Sequence, residues 1–288
     1  MTTQLFLQLL INGVSIGLIY ALVALGLVLV LGVAKVFNFA HGEFYMLGAY
    51  SLYTLHVTMH MNFFVSVILS GLVTALLGAF SNRAIFQLIR GDLLKAAATT
   101  IGLGIIIRQV VLQGYGPSER GVRPILSSTL IVGGVRLSTE RLAVIGFSLI
   151  LMALMAWFLM RTKTGTAMLA TNLDEEGAKL QGINTDKMFL IAIAVGSGLA
   201  GAAGATVAPI FALSPEMGDV MLFLILMTVI LGGMQSPLGA VIGGLILGLA
   251  LSFGVYFLGS LAELATFFLI GLFIIFKPHG LFGGSLEV

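Results

Sequence analysis

Long stretches without a single Asp, Glu, Lys or Arg decide what this chain can fold into. They run over 1–34, 44–82, 142–160, 188–215 and 220–262. A helix needs about 20 apolar residues to cross the hydrocarbon core of a bilayer, so these intervals read as membrane-spanning segments. Only 9% of the 288 residues are charged and 59% are hydrophobic, where an ordinary soluble domain is roughly a quarter charged. The mean hydropathy is +1.12. So few charges cannot clothe a water-facing globule, and so much apolar side chain excludes intrinsic disorder. The absence of Cys excludes a disulfide framework, thiolate chemistry and Cys-ligated metal. The net charge of +2 rests on few residues. It reads as loop charge facing anionic lipid, not as a nucleic-acid footprint.

The pattern predicts an all-α integral membrane protein of about eight to nine transmembrane helices in one domain, 1–288. The segments are 5–33, 38–58, 62–89, 96–114, 141–160, 188–210, 220–235, 238–258 and 261–277. The interval 220–262 is too long for one span, and Gly232-Gly233-Met234-Gln235-Ser236-Pro237 divides it. The seventh segment is short and Gly-flanked, which suits a re-entrant or tilted helix. Small-x-x-x-small pairs (Gly13/Gly17, Ala200/Gly204, Gly239/Gly243, Gly244/Gly248) are expected at helix contacts, because small residues let backbones approach in lipid. Gly196-Ser197-Gly198-Leu199-Ala200-Gly201 has the spacing of a dinucleotide fingerprint but lies inside a charge-free helical segment, with no strand before it. It reads as helix packing. The first segment has no basic start and reads as a retained helix rather than a cleaved signal.

Lys and Arg divide unequally between the loops. Lys35, Arg83, Arg90, Lys95, Arg161, Lys163, Lys179, Lys187 and Lys277 fall on one side; Arg120, Arg123, Arg136 and Arg141 fall on the other. The positive-inside rule places the first group in the cytoplasm. Arg108 lies within a span, with Gln109 and Gln113 as its expected partners.

One polar island, 161–187, carries four basic and four acidic residues. It reads as a cytoplasmic loop holding a short helix. Asn172 is the expected N-cap, Asp174 and Glu175 lie in the first turn with Glu175 at N3, and Gly182 is the expected stop with φ > 0. Leu173, Ala178 and Leu180 supply an apolar side. Ala178 beside Gly177 suggests a close contact with a partner.

Glu176-Gly177-Ala178, three residues and then Gly182 resembles the Glu-Ala-Ala-x₃-Gly core of the loop by which ABC-importer permeases contact their ATPase. Gly177 stands at the second position of that core in place of Ala, and the Ile-x-Leu-Pro ending is replaced by Ile183-Asn184-Thr185-Asp186. That ending is similar to the branched-chain amino acid permease family, LivH-type. Three further stretches resemble the same family: Ile19–Leu27 running into Asn38-Phe39-Ala40-His41-Gly42-Glu43-Phe44-Tyr45-Met46-Leu47-Gly48-Ala49-Tyr50; Gly232–Ala240, with Gln235 in place of a Gly; and Lys277-Pro278-His279-Gly280-Leu281-Phe282-Gly283. The resemblance implies a multi-pass permease of the bacterial inner membrane. It implies a second, identical or homologous permease subunit, two ATPase subunits and a periplasmic substrate-binding protein. Transport by alternating access would be driven through the 161–187 loop, with Asn172, Asp174, Glu175, Glu176, Gly177, Ala178 and Gly182 as coupling residues. Branched-chain amino acids are the family default; urea, short amides and other amino acids are the alternatives. A stand-alone secondary transporter would carry more intramembrane acids or His.

Asn38, His41 and Glu43 start the second segment, with Asn38 and His41 expected on one helical face. They are candidates for the substrate pathway, or else anchors at the headgroups beside Lys35; their depth decides. His56 and His60 lack the Glu and the third ligand of a zinc site, so no metal is expected. Glu263 reads as an exposed loop carboxylate. No catalytic set is present, and no Gly-x-x-x-x-Gly-Lys-Ser/Thr loop. No cofactor is expected on this chain; ATP would be used by partner subunits. The orientation has a direct check. Thr164→Cys, introduced into a chain without Cys, should react with a membrane-impermeant maleimide only after the cells are permeabilised. Labelling in intact cells would reverse the topology.

Overall fold

The computed structural model describes residues 2–86, 92–123, 129–132 and 135–282. Arg90, the end of segment 62–89 and Gly283 lie outside the described residues. The helices are α1 (Thr3–Ala34), α2 (His41–Leu52, prolonged by a π-helical stretch Tyr53–Thr58), α3 (Phe63–Ser81, prolonged likewise over Asn82–Phe86), α4 (Leu93–Tyr115), α5 (Thr139–Arg161), α6 (Lys163–Leu173), α7 (Glu175–Leu180), α8 (Thr185–Val207), α9 (Met217–Gly232), α10 (Pro237–Leu258) and α11 (Ala262–Phe276). Each of the nine predicted segments coincides with a helix. Six helical stretches among the described residues are long and apolar enough to cross a membrane, with α10 and α11 counted as one continuous stretch. α9, at 16 residues, is shorter than a span. A small antiparallel hairpin departs from the all-α expectation: β1 (Thr129–Val132) pairs with β2 (Val135–Ser138), Thr129 opposite Ser138.

Side chains in the flanking sequence set the helix ends. Asn62, Asp92, Asn184 and Ser236 each accept a hydrogen bond from a first-turn amide of the helix that follows, satisfying donors that have no partner within the helix. The Asp92 carboxylate is held below the usual carboxylate range by the Lys95 amide and ammonium. Pro237 sits at the first position of α10, where its missing N–H costs nothing.

Glycines bring the helix backbones into contact. In α8, an added Cβ at Gly196 would lie 2.6 Å from the Gly26 carbonyl of α1, one at Gly201 would collide with Thr74 of α3, and one at Gly204 with the Tyr45 carbonyl of α2. The apparent dinucleotide motif is therefore the surface on which three other helices pack. α1 lies against α10 in the same way: a Cβ on Gly17 would come 2.8 Å from the Gly244 carbonyl, and one on Gly248 would strike the Gly17 backbone. Gly232 and Gly239 close α9 on α10.

Two ends of the bundle are distinct. At one, Lys35, Leu173, Asp174, Glu175, Glu176 and Lys179 line a common groove, Gly32 abuts Asn172, and the tail binds the end of α9 through Leu281 N–H to Leu231 O (2.9 Å). Lys35 and Lys179 stand at this groove, and this is the basic end of the bundle. At the other, Arg120 and Leu213 exchange backbone hydrogen bonds and Thr54 bonds the Tyr115 hydroxyl.

The packing gives a clear mutational expectation. Gly48→Val should collide with the Gly201 backbone and destabilise the protein by about 1–3 kcal/mol or more, as overpacking does. Gly102→Ala, which meets nothing within 4 Å, should change stability by no more than about 0.5 kcal/mol. Thermal melting in detergent distinguishes the two.

Candidate functional site

α2 does not begin at the membrane surface. α1 ends at Lys35, whose backbone turns left-handed (φ 52°), and residues 35–40 return into the bundle without helical structure. His41, the first residue of α2, hydrogen-bonds the Val23 carbonyl of α1 at 3.2 Å. Val23 precedes the end of α1 by eleven residues, or about 16 Å at ~1.5 Å per residue, so α2 begins well inside the bundle. The extended stretch is satisfied internally, as backbone at this depth must be. Asn38 Oδ1 accepts from the Ala40 amide (3.1 Å), and Thr100 Oγ1 of α4 accepts from the Phe39 amide (3.2 Å). Asn38 therefore lies before the helix as a turn residue, and it does not share a helical face with His41. Asn38, His41 and Glu43 are all buried, at 2% exposure or less.

Glu43 in the first turn of α2 meets Arg108 of α4. Its Oε1 accepts from Arg108 Nη2 at 3.1 Å, and the same Nη2 donates to Asp219 Oδ1 of α9 at 2.5 Å. The sequence-expected partners of Arg108, Gln109 and Gln113, are exposed instead. α9 also starts at depth: Asp219 stands thirteen residues before its end at Gly232, about 20 Å along the helix. Its neighbour Gly218 fits directly against Gly42, so the N-termini of α2 and α9 abut. Carboxylates are favoured at such helix starts. Glu43 is buried (3% of its side chain exposed), while Arg108 and Asp219 remain 31% and 41% exposed. Three buried polar atoms in this layer have no protein partner among the described residues: Asn38 Nδ2, His41 Nδ1 and Glu43 Oε2. The carbonyl bond makes Nε2 the protonated nitrogen of His41, which leaves Nδ1 as an acceptor.

Asp219 escaped the sequence reading. The available signal was that it closes one charge-free run and opens another, and that an intramembrane Arg calls for a buried or facing acid.

The second site is α7 at the basic end. Its cap is Asp174, whose Oδ1 accepts from the Gly177 amide (3.0 Å). Asn172 is not the cap: it belongs to α6, where its side chain fills the notch at Gly32. Glu175 and Glu176 are consequently the first two residues of α7, not its third turn position, and Glu175 pairs with Lys179 at 2.8 Å. Gly182 follows with φ +80°, as expected of a helix stop. Ala178 is buried within the chain's own fold, and the outward apolar surface is Leu173 and Leu180, 87% and 88% exposed. Among the described residues, no group of three or more His, Asp or Glu side chains comes together as a metal site. His56 instead bonds the Met61 carbonyl through Nδ1 at 2.7 Å, and Glu263 is an exposed first-turn residue of α11.

Residues 9–276 match the family described as branched-chain amino acid transport system, permease component. The chain is 28% identical to the high-affinity branched-chain amino acid transport system permease protein BraD of Pseudomonas aeruginosa, over 96% of both chains. It is 29% identical to the permease protein LivH of the corresponding system of Escherichia coli K12, also over 96% of both. The permease protein LivM of that organism is 26% identical over 93% of this chain and 68% of its own length. No solved structure matches.

The charge layer yields a stability test. Arg108→Ala strands the buried Glu43 carboxylate and should cost about 3–5 kcal/mol, the typical cost of breaking a buried pair. Adding Glu43→Gln should return a substantial part of that loss. The double-mutant cycle, followed by melting in detergent, should show coupling above about 1 kcal/mol; simple additivity would contradict the pairing.

Proposed function

Because this chain belongs to the branched-chain amino acid transport permease family, we propose that it is the membrane-spanning permease subunit of an ATP-driven importer, moving branched-chain amino acids inward across the cell membrane. The observation that carries the reading is the family match over nearly the whole chain. The nine helical segments supply eight or nine crossings, with α9 as the short one. The basic end is cytoplasmic, in agreement with the positive-inside asymmetry.

ATP is bound and hydrolysed by two partner ATPases and not by this chain. The path is shared with a second permease subunit, and a periplasmic binding protein delivers the substrate. The coexistence of LivH-named and LivM-named relatives supports a pore built from two related chains.

α7 suits a coupling role for physical reasons. It is six residues long, too short to be stable alone in water. Its cap at Asp174, its stop at Gly182 and its buried Ala178 fix it to the bundle. Leu173 and Leu180 are left facing out, and burying one leucine is worth about 1.5–3 kcal/mol. Closure of the ATPases moves the leucine-bearing helix, and α6 and α8 on either side carry the movement into the spans. Asp174, Glu175, Glu176 and Gly177 shape the helix rather than forming the apolar contact, and Asn172 anchors α6 to α1.

Leu180→Asp should leave membrane insertion intact but weaken ATPase co-purification at least tenfold and abolish substrate-stimulated hydrolysis. Gly182→Val, forced into an unfavourable φ, should do the same by misdirecting the exit of α7. Normal ATPase binding and uptake in both variants would remove α7 from the mechanism.

A further inference from the structure

The Arg108–Asp219 pair sits in an unusual place. Arg108 stands inside the apolar helix α4, seven residues before its end, on a face that this chain leaves partly uncovered, and charges within a span are costly unless they face a cavity or a partner. A purely structural ion pair would be expected to bury both members, as Glu43 is buried. Here one carboxylate is fixed below the guanidinium and the other is open. All the hydrogen bonds of Arg108 run from Nε and Nη2, so Nη1 makes none among the described residues. The N-termini of α2 and α9 meet at the same level, and Glu43 Oε2 is buried beside them without a protein partner. Exposed apolar side chains flank the pair: Ile105, one turn before Arg108, and Phe223, one turn after Asp219.

We propose that Arg108 and Asp219 are the point on the path where a zwitterionic α-amino acid exchanges its charges with the protein. This rests on the permease reading above. The substrate carboxylate takes the guanidinium, and its ammonium takes the Asp219 carboxylate. Glu43 holds Arg108 in place throughout. The exchange replaces one ion pair by two and adds no net charge to the membrane interior. Ile105 and Phe223 receive the branched side chain. An uncharged amide such as urea has no charges to trade and gains nothing from this site, so the arrangement selects amino acids over amides.

The test uses the assembled complex of both permeases, the ATPases and the binding protein, reconstituted in proteoliposomes with radiolabelled leucine. Asp219→Asn should assemble and lower leucine uptake at least tenfold, while Asp219→Glu keeps a substantial part of it. Phe223→Cys should react with a water-soluble methanethiosulfonate, read as a mass shift on this chain, and saturating leucine should slow that reaction several-fold. Wild-type transport with Asp219→Asn uptake within twofold of wild type overturns this proposal alone. An unreactive Phe223→Cys, or reactivity indifferent to leucine, overturns it too, and decides the matter if Asp219→Asn fails to assemble. A wild-type complex that transports no branched-chain amino acid overturns both this proposal and the permease reading.

Discussion

Backbone-to-backbone approach at glycine is the constraint on which the rest of this structure depends. Lipid tails are as apolar as leucine, so helices in a bilayer gain little from burying apolar surface against one another and must gain from close packing instead. α8 meets α1 at Gly196, α3 at Gly201 and α2 at Gly204, and α10 meets α1 at Gly244 and Gly248. A single methyl group at these positions would separate the helices. The glycines of α1, α8 and α10 are used in this way, whereas Gly102 and Gly146 meet nothing within 4 Å.

The tight frame is what allows irregular backbone at depth. Residues 35–40 and the approach to α9 leave peptide groups that need partners away from water. The Asn38 and Thr100 side chains serve the first of these stretches, Asn38 at the Ala40 amide and Thr100 at the Phe39 amide and the Phe37 carbonyl. Two short helices then start facing each other at Gly42 and Gly218, each with an acid in its first turn. Arg108 from α4 is drawn between those acids. The structural order runs from glycine contact, to broken helix, to charge layer.

Much of this was legible in the sequence. Charge-poor runs locate the six apolar helical stretches among the described residues, because spanning length and hydropathy are local properties. Gly182 was legible for the same reason: a helix stop needs a positive φ, and glycine supplies it. What escaped was decided by contacts remote in sequence. Asn172 and Asp174 are equally good caps on paper, but the notch at Gly32 claims Asn172 and leaves the cap to Asp174. Sequence proximity pairs Arg108 with Gln109 and Gln113, whereas its acids lie 65 and 111 residues away. Ala178 looked like a contact for a partner, and only the fold shows that it faces inward while Leu173 and Leu180 face out.

The central claim is that this chain conducts amino acids only when ATPases drive it. Its most direct test is leucine accumulation in proteoliposomes holding the complete complex and the binding protein, with and without ATP on the side that faces the 161–187 loop. The account predicts uptake against a gradient that requires hydrolysable ATP on that side and disappears when this chain is omitted. Uptake that proceeds unchanged without ATP, or that follows an imposed ion gradient instead, would contradict it.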